Sequence, residues 1–226
     1  MSSVSAKFDK DGYALVPNVL SDGELAALTR RADAMPSDGA GTRRLLGESW
    51  CAEAAQALRH NPHLSGILHA GAVAVQCTYF DKSAEHNWLV ALHQDLSIPV
   101  KARVSDPACV GWSEKEDSLF VQPPVEVLEQ MVAVRVHLDD NTPSNGPLRV
   151  VPGSHKHGRL SPEQAQEKRL RLGERECLAS AGSALALRPL ILHASSKAKT
   201  PMSRRVFHFL FGPATLPCGL GWKHAV

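Results

Sequence analysis

The chain has 226 residues, of which 43% are hydrophobic and 21% charged, so its length and composition suit one compact domain whose core needs no disulfide staples. Lys and Arg total 25 against 23 Asp and Glu, and the resulting net charge of +2 gives no field that would draw nucleic acid or an anionic membrane. No apolar run approaches the roughly 18 residues of a membrane span, and the first twenty residues lack a signal-peptide core, which makes a cytoplasmic protein the expectation. The five cysteines are odd in number, scattered and without a C-x-x-C pair, so they read as free thiols.

In chain order, Ser21 and Glu24 form a capping-box signature, and Leu25, Leu28 and Ala32 recur at helical spacing before Pro36, predicting a helix over 22–35. A loop over 37–42 precedes a second helix at 51–59, and a short helix is expected at 63–70. After Gly71 the texture changes to short apolar segments: VAVQCTYF, NWLVALHQDL, MVAVRVHLDD, GPLRVVPG, SALALRPLILHAS and RRVFHFLFG. Turn chemistry such as Pro143-Ser144-Asn145-Gly146 separates several of them, which favours a barrel or sandwich over alternating βαβ units. An insertion over 101–129, carrying Trp112 and the run SEKED, is long enough to act as a lid, with Trp112 the best residue to cover a substrate. Ser161, Pro162 and dense charge predict a solvated helix to about Leu172.

The segment NWLVALHQDL carries the most chemistry. On a strand, His93 and Asp95 share a face while Gln94 points away, which places an imidazole and a carboxylate where one metal can sit. Completed by a distant imidazole, this is the facial triad of non-haem Fe(II) oxygenases. By itself H-x-D is weak evidence. His193, at the end of ALALRPLILH, is the candidate third ligand, and Arg204 stands eleven residues further on, where a guanidinium can grip a carboxylate beside the metal.

The order His93-x-Asp95, the turn NGPLRVVPGSH over 145–155, and His193 followed by Ser195 and Arg204 together resemble the phytanoyl-CoA dioxygenase family. The resemblance implies a mainly β chain with flanking α-helices, folded as a double-stranded β-helix, a jelly-roll of cupin type. It implies that His93, Asp95 and His193 ligate Fe(II), that Arg204 pairs with the distal carboxylate of 2-oxoglutarate, and that Ser195 adds a hydrogen bond to it. The implied reaction consumes O2 and 2-oxoglutarate, releases succinate and CO2, and hydroxylates an unactivated carbon of a small organic substrate. In related halogenases a small residue stands in place of the carboxylate, so Asp95 favours hydroxylation. Arg205 competes for the clamp role, since alternation lets only one of the two neighbours face inward, and spacing favours Arg204.

Several positions stay open at the level of sequence. Arg135 stands where many family members carry tryptophan, and Arg135 and His137 share a face that points either to solvent or into the cavity, where a cation needs an anionic partner, the substrate or 2-oxoglutarate itself, which makes Arg135 a cofactor-binding candidate. Parity from His93 turns Ala91, Leu89 and Asn87 inward, making Asn87 a cosubstrate hydrogen-bond candidate. Lys82, Tyr79 and His208 are further cavity candidates. Two rivals keep the ligand set without the oxidation: a cupin-like metal-dependent isomerase or hydrolase, and a non-enzymatic metal-binding sensor. Arg204 speaks against the first, which needs no 2-oxoglutarate clamp, and turnover of 2-oxoglutarate would exclude the second.

Overall fold

The computed structural model describes residues 3–35, 41–83, 85–200 and 203–226. Twelve strands are named here: β1 (Tyr13–Val16), β2 (Ala72–Lys82), β3 (Val90–His93), β4 (Ile98–Val100), β5 (Val110–Lys115), β6 (Ser118–Gln122), β7 (Val132–His137), β8 (Leu148–Val150), β9 (Arg175–Cys177), β10 (Ala184–Leu187), β11 (His193–Ser195) and β12 (Arg204–Pro213). They form a five-stranded sheet β1-β10-β7-β12-β2, a four-stranded sheet β3-β11-β8-β9 and a three-stranded sheet β4-β6-β5. The paired strands run antiparallel throughout, and the architecture is the expected double-stranded β-helix.

Strand parity divides the five-stranded sheet into two environments. On one face Val132, Val134 and Val136 of β7 and Phe207, Phe209 and Phe211 of β12 pack against the helical layer, which supplies Phe8, Leu28, Ala55 and Leu58. That layer comprises α1 (Ser3–Asp11), α2 (Asp22–Asp33) and α3 (Ser49–Arg59). The Ser21–Glu24 capping box starts α2 as the sequence predicts. On the other face Ala133, Leu185, Leu187 and Leu210 meet Leu148 and Val150 of the four-stranded sheet, Ile98, Val100 and Val121 of the three-stranded one, and Val127 and Leu128 of α4 (Val125–Gln130). This apolar packing closes one part of the β-helix interior and leaves the rest for polar residues.

Two expectations are corrected. The helix expected at 63–70 is only a 3-10 turn, Pro62–Leu64, because Gly66 takes a left-handed φ of 82° and breaks the run. The insertion is largely ordered as β5, β6 and α4, and it brings Lys115, Phe120, Gln122 and Leu128 to the cavity, so only the placing of Trp112 changes. Trp112 bonds the Cys109 carbonyl through its indole nitrogen and packs with the interior cluster, under the Arg103 guanidinium, rather than over a cavity. The loop expected at 37–42 lies mostly outside the described residues, whereas the solvated helix is present as α5 (Pro162–Leu172) with its own capping box. No helix among the described residues is long and apolar enough to cross a membrane.

Candidate active site

A cavity of about 500 Å³ opens between the sheets, and His93, Asp95 and His193 sit in its wall. β3 and β11 pair with His93 directly opposite His193, which brings two residues a hundred positions apart into ring contact, their centroids 4.2 Å apart. Each imidazole is oriented the same way. His93 Nδ1 lies 2.8 Å from the Ala91 carbonyl and His193 Nδ1 lies 3.0 Å from the Ile191 carbonyl, so both donate through Nδ1 and present Nε2 as the free lone pair. Those Nε2 atoms stand 3.5 and 3.6 Å from the two Asp95 carboxylate oxygens. The three ligand atoms therefore surround one point, as a small divalent cation requires.

Asp95 lies two residues beyond the end of β3, and its approach to the imidazoles is set by its neighbours. Its backbone N–H donates to the Pro189 carbonyl. Gln94 points away, as expected, and its amide is fully used: it donates to the Gly158 and Leu190 carbonyls and accepts from the Leu160 N–H. Burial works against the charge on Asp95, but the neighbouring His193 and His93 outweigh it and hold the carboxyl far below the usual range. Burial pushes His193 down, so that ring is neutral at pH 7, ready to ligate. Burial opposes protonation of His93 as well, yet its contact with Asp95 leaves it raised.

A second group of metal-capable side chains, Asp106, Cys109 and Cys218, lies outside the cavity. Partial burial and the Asp106 charge raise both thiols, so these ligands are protonated where those of the first group are ready.

The far end of the cavity is cationic. Arg204 and Lys82 face each other across the β12–β2 ladder, both buried. The Lys82 ammonium donates to Ser195 Oγ at 2.9 Å and to the Ser196 carbonyl at 2.7 Å, and the Ser195 hydroxyl donates to the Gly146 carbonyl at 3.0 Å. Arg204 Nε and Nη1 are buried with no hydrogen-bond partner. Desolvation pushes Arg204 down to about 9, Lys82 to about 8 and Arg135 to about 10. Among the described residues none of the three has a carboxylate within ion-pair distance. Buried guanidinium groups with unbonded nitrogens and no carboxylate partner mark a place built to receive an anion.

Of the sequence candidates, Arg204, Ser195, Arg135 and His208 line the cavity with the triad. Arg135 and His137 resolve to the inward face; the Arg135 side chain reaches the cavity, and His137 is buried beside it with neither ring nitrogen bonded. Arg205 faces the other way, paired with Asp139 at 2.7 Å and with Asp33 at 2.5 Å, which removes it as a clamp. Asn87 is also corrected. Its amide is spent on Ala198, donating to the carbonyl at 2.9 Å and accepting from the N–H at 2.7 Å, so it ties two loops together outside the cavity.

The inward parity drawn from His93 fails because the β3–β11 ladder carries an irregularity: His193 pairs His93, yet Ser195 pairs Val90. The extra residue turns Val90 inward and leaves Leu89 62% exposed. Tyr79 faces the helices, packed on Phe207. Gln76 and Thr78, not singled out from the sequence, and Phe80, expected only to pack, line the cavity on β2; their alternation with Cys77 and Tyr79, ending at Lys82, was the available signal.

Comparison with known proteins agrees with this geometry. The chain is 25% identical over 183 residues to ectoine dioxygenase of Stutzerimonas stutzeri (strain A1501), covering 74% of this chain and 56% of the relative, so it spans about half that protein's length. In fold it is similar to EctD from S. alaskensis, solved with 2-oxoglutarate and 5-hydroxyectoine, with a TM-score of 0.70, 21% identity, and 95% of this chain and 77% of the other covered. It is similar also to HygX from Streptomyces hygroscopicus, solved with iron bound, with a TM-score of 0.66, 16% identity, and 100% and 97% coverage. The family model for phytanoyl-CoA dioxygenase (PhyH) matches residues 8–206, most of the chain and every side chain of the triad and the cationic end, so the protein belongs to the phytanoyl-CoA dioxygenase family.

Proposed function

We propose that this protein is a cytoplasmic Fe(II)- and 2-oxoglutarate-dependent dioxygenase that hydroxylates an unactivated carbon of a small organic molecule, releasing succinate and CO2. The observation that carries the reading is one cavity with two poles: a His-Asp-His ligand set in its wall, and a buried Arg204 with unbonded nitrogens at its far end. The donor set fits iron, since two neutral imidazole nitrogens and one carboxylate leave positions open for other ligands. When bound, the metal supplies the activation of O2 that is coupled to oxidative decarboxylation of 2-oxoglutarate.

The protein's own part is positional. His93, Asp95 and His193 would hold the metal, and their Nδ1 contacts to Ala91 and Ile191 keep both rings from rotating. Arg204 would grip the distal carboxylate of 2-oxoglutarate bidentately, with Lys82 and Ser195 completing its hydrogen bonds. Leu128, Met131 and Leu210 keep water from the inner wall. A cupin-like isomerase or hydrolase gives no account of the cationic pole, and turnover of 2-oxoglutarate would exclude a sensor. The five free cysteines accord with a reducing compartment.

The test is anaerobic addition of Fe(II) and 2-oxoglutarate to metal-free protein, following the visible charge-transfer band of the chelate. The band is expected in the wild type, absent in Asp95→Ala, and shifted to higher 2-oxoglutarate concentration in Arg204→Ala by a loss of about 2–5 kcal/mol. A folded, iron-loaded wild type without the band refutes the reading.

A further inference from the structure

The cavity holds more positive charge than a metal and 2-oxoglutarate account for. Its lining includes four basic residues, Arg43, Lys115, Arg135 and Arg204, and one acid, Asp95. Arg43 is exposed and paired with Glu116 at 2.8 Å, and Lys115 is exposed over the Phe120 ring, so water serves both. Under the proposed function Fe(II) with Asp95 carries one net positive charge, and dianionic 2-oxoglutarate offsets that charge and one of the two cations at its distal end. Arg135, 7% exposed, is then left without an anion of its own, since the Asp95 charge that reaches it is shared with the metal.

Its position distinguishes it from the 2-oxoglutarate clamp. On the β7–β12 ladder Arg135 stands opposite His208, four residues from Arg204 and therefore about 13 Å along the strand. Its Nη1 lies 3.0 Å from His208 Nδ1, its guanidinium lies over the Phe80 ring at 5.2 Å, and its Nε is buried without a partner. Its charge couples to Asp95 and His193 at the metal site, and also to Arg204 and Lys82, so geometry along the strand rather than charge sets it apart from the clamp. The guanidinium is thus held at the metal end by His208 and Phe80, with its Nε donor unbonded. Beside it Phe80, Leu128, Met131, Leu148 and Leu210 offer an apolar wall for a hydrocarbon body.

We propose that Arg135 is a substrate-binding residue and that the molecule oxidised is a small organic acid, its carboxylate paired with Arg135 and its apolar part lying along the wall between Phe80 and Leu210. The inference rests on the iron and 2-oxoglutarate reading. It goes beyond that reading by assigning a substrate class and the residue that selects it.

Formate, the smallest carboxylate, is the probe, with redox-inert Mn(II) in place of iron. 2-Oxoglutarate is first titrated into the Mn(II)-loaded wild type and its Kd measured by calorimetry; failure to bind refutes the underlying function and is seen before formate is added. Relaxation of 13C-formate by Mn(II) is then followed in the 2-oxoglutarate-saturated protein. A saturable enhancement is expected in the wild type, reduced about tenfold in Arg135→Met and kept in part by Arg135→Lys, since truncating one partner of a buried charged pair is costly. The Kd for 2-oxoglutarate is expected to stay within about threefold of wild type in Arg135→Met, whereas Arg204→Met raises it far more.

Three results overturn the proposal. These are no saturable enhancement in a wild type that binds 2-oxoglutarate, an enhancement unchanged in Arg135→Met, and a loss of 2-oxoglutarate binding in Arg135→Met equal to that in Arg204→Met. The last would assign Arg135 to the cosubstrate. Circular dichroism of each variant confirms that folded proteins are compared, and Arg135→Lys supplies the charge-retaining control if Arg135→Met does not fold.

Discussion

Replacing Lys82 with methionine should make the ligand-free protein more stable while weakening its hold on 2-oxoglutarate. The side chain is fully buried, and desolvation pushes its ammonium from 10.5 down to about 8. That displacement corresponds to about 3 kcal/mol of unfavourable free energy at pH 7, by the ~1.4 kcal/mol per pH unit of proton linkage. Lys82→Met removes this cost but also two hydrogen bonds. Ser195 Oγ keeps its bond to the Gly146 carbonyl, so the main loss is at the Ser196 carbonyl, about 1 kcal/mol. A net gain of about 2 kcal/mol remains at pH 7.

The pH dependence fixes the sign. Between the folded value near 8 and the unfolded value near 10.5, the unfolded chain binds more protons than the native one, so wild-type stability rises with pH. The advantage of Lys82→Met should therefore shrink to near zero by about pH 9.5. Urea unfolding of both metal-free proteins at several pH values reads this directly. A variant less stable than wild type at pH 7, or a difference independent of pH, refutes the claim that Lys82 is an uncompensated buried charge.

Related expectations follow from the same side chains. 2-Oxoglutarate affinity should begin to fall as pH rises through about 8, where Lys82 loses its proton, and calorimetry of the Mn(II)-loaded Lys82→Met protein should show the fall delayed to about 9, where Arg204 follows. Arg205→Met should leave 2-oxoglutarate binding within about twofold of wild type yet cost roughly 1–2 kcal/mol of stability, because its partners are Asp139 and Asp33; Arg204→Met should show the reverse in paired binding and unfolding measurements. Gly146→Ala should destabilise by about 2–4 kcal/mol, read as a lowered melting temperature, since its φ is 69° and a Cβ would meet the Ser196 carbonyl oxygen at 2.5 Å.

The metal ligands were legible because their signal is short-range and chemical. His93-x-Asp95 and His193 depend on residue type and order, and the ladder that pairs β3 with β11 brings them together. Alternation on a ten-residue strand that runs without a break through both lets only one of Arg204 and Arg205 face inward, and the eleven-residue spacing from His193 picked Arg204. Where alternation was carried across an irregular ladder it failed: the extra residue between Val90 and His93 reversed the faces of Leu89 and Asn87, and no local residue signals that bulge. The helix α1 was missed for a different reason. Only one face of Ser3–Asp11 is covered, chiefly through Phe8, so its helicity comes from tertiary packing more than from any apolar stripe. The β4-β6-β5 sheet escaped because its strands are short and one contains Pro99, a residue that argues against a strand until its edge position is known.

The arrangement also explains why a chain can keep three unpaired cations in its interior. β7 and β12 carry the cost on one face and its offset on the other: Arg135 and Arg204 point inward, while Val134, Val136, Phe207 and Phe209 are buried under the helices. Each of those phenylalanines contributes about 1.5–3 kcal/mol on full burial, comparable to the penalty of a desolvated charge. Helices α1 to α3 are therefore what makes the cationic pole tolerable, although none of them supplies a residue to the cavity lining. The same coupling means that an anion bound at the pole relieves the interior as well as filling it, so ligand binding and fold stability should rise together.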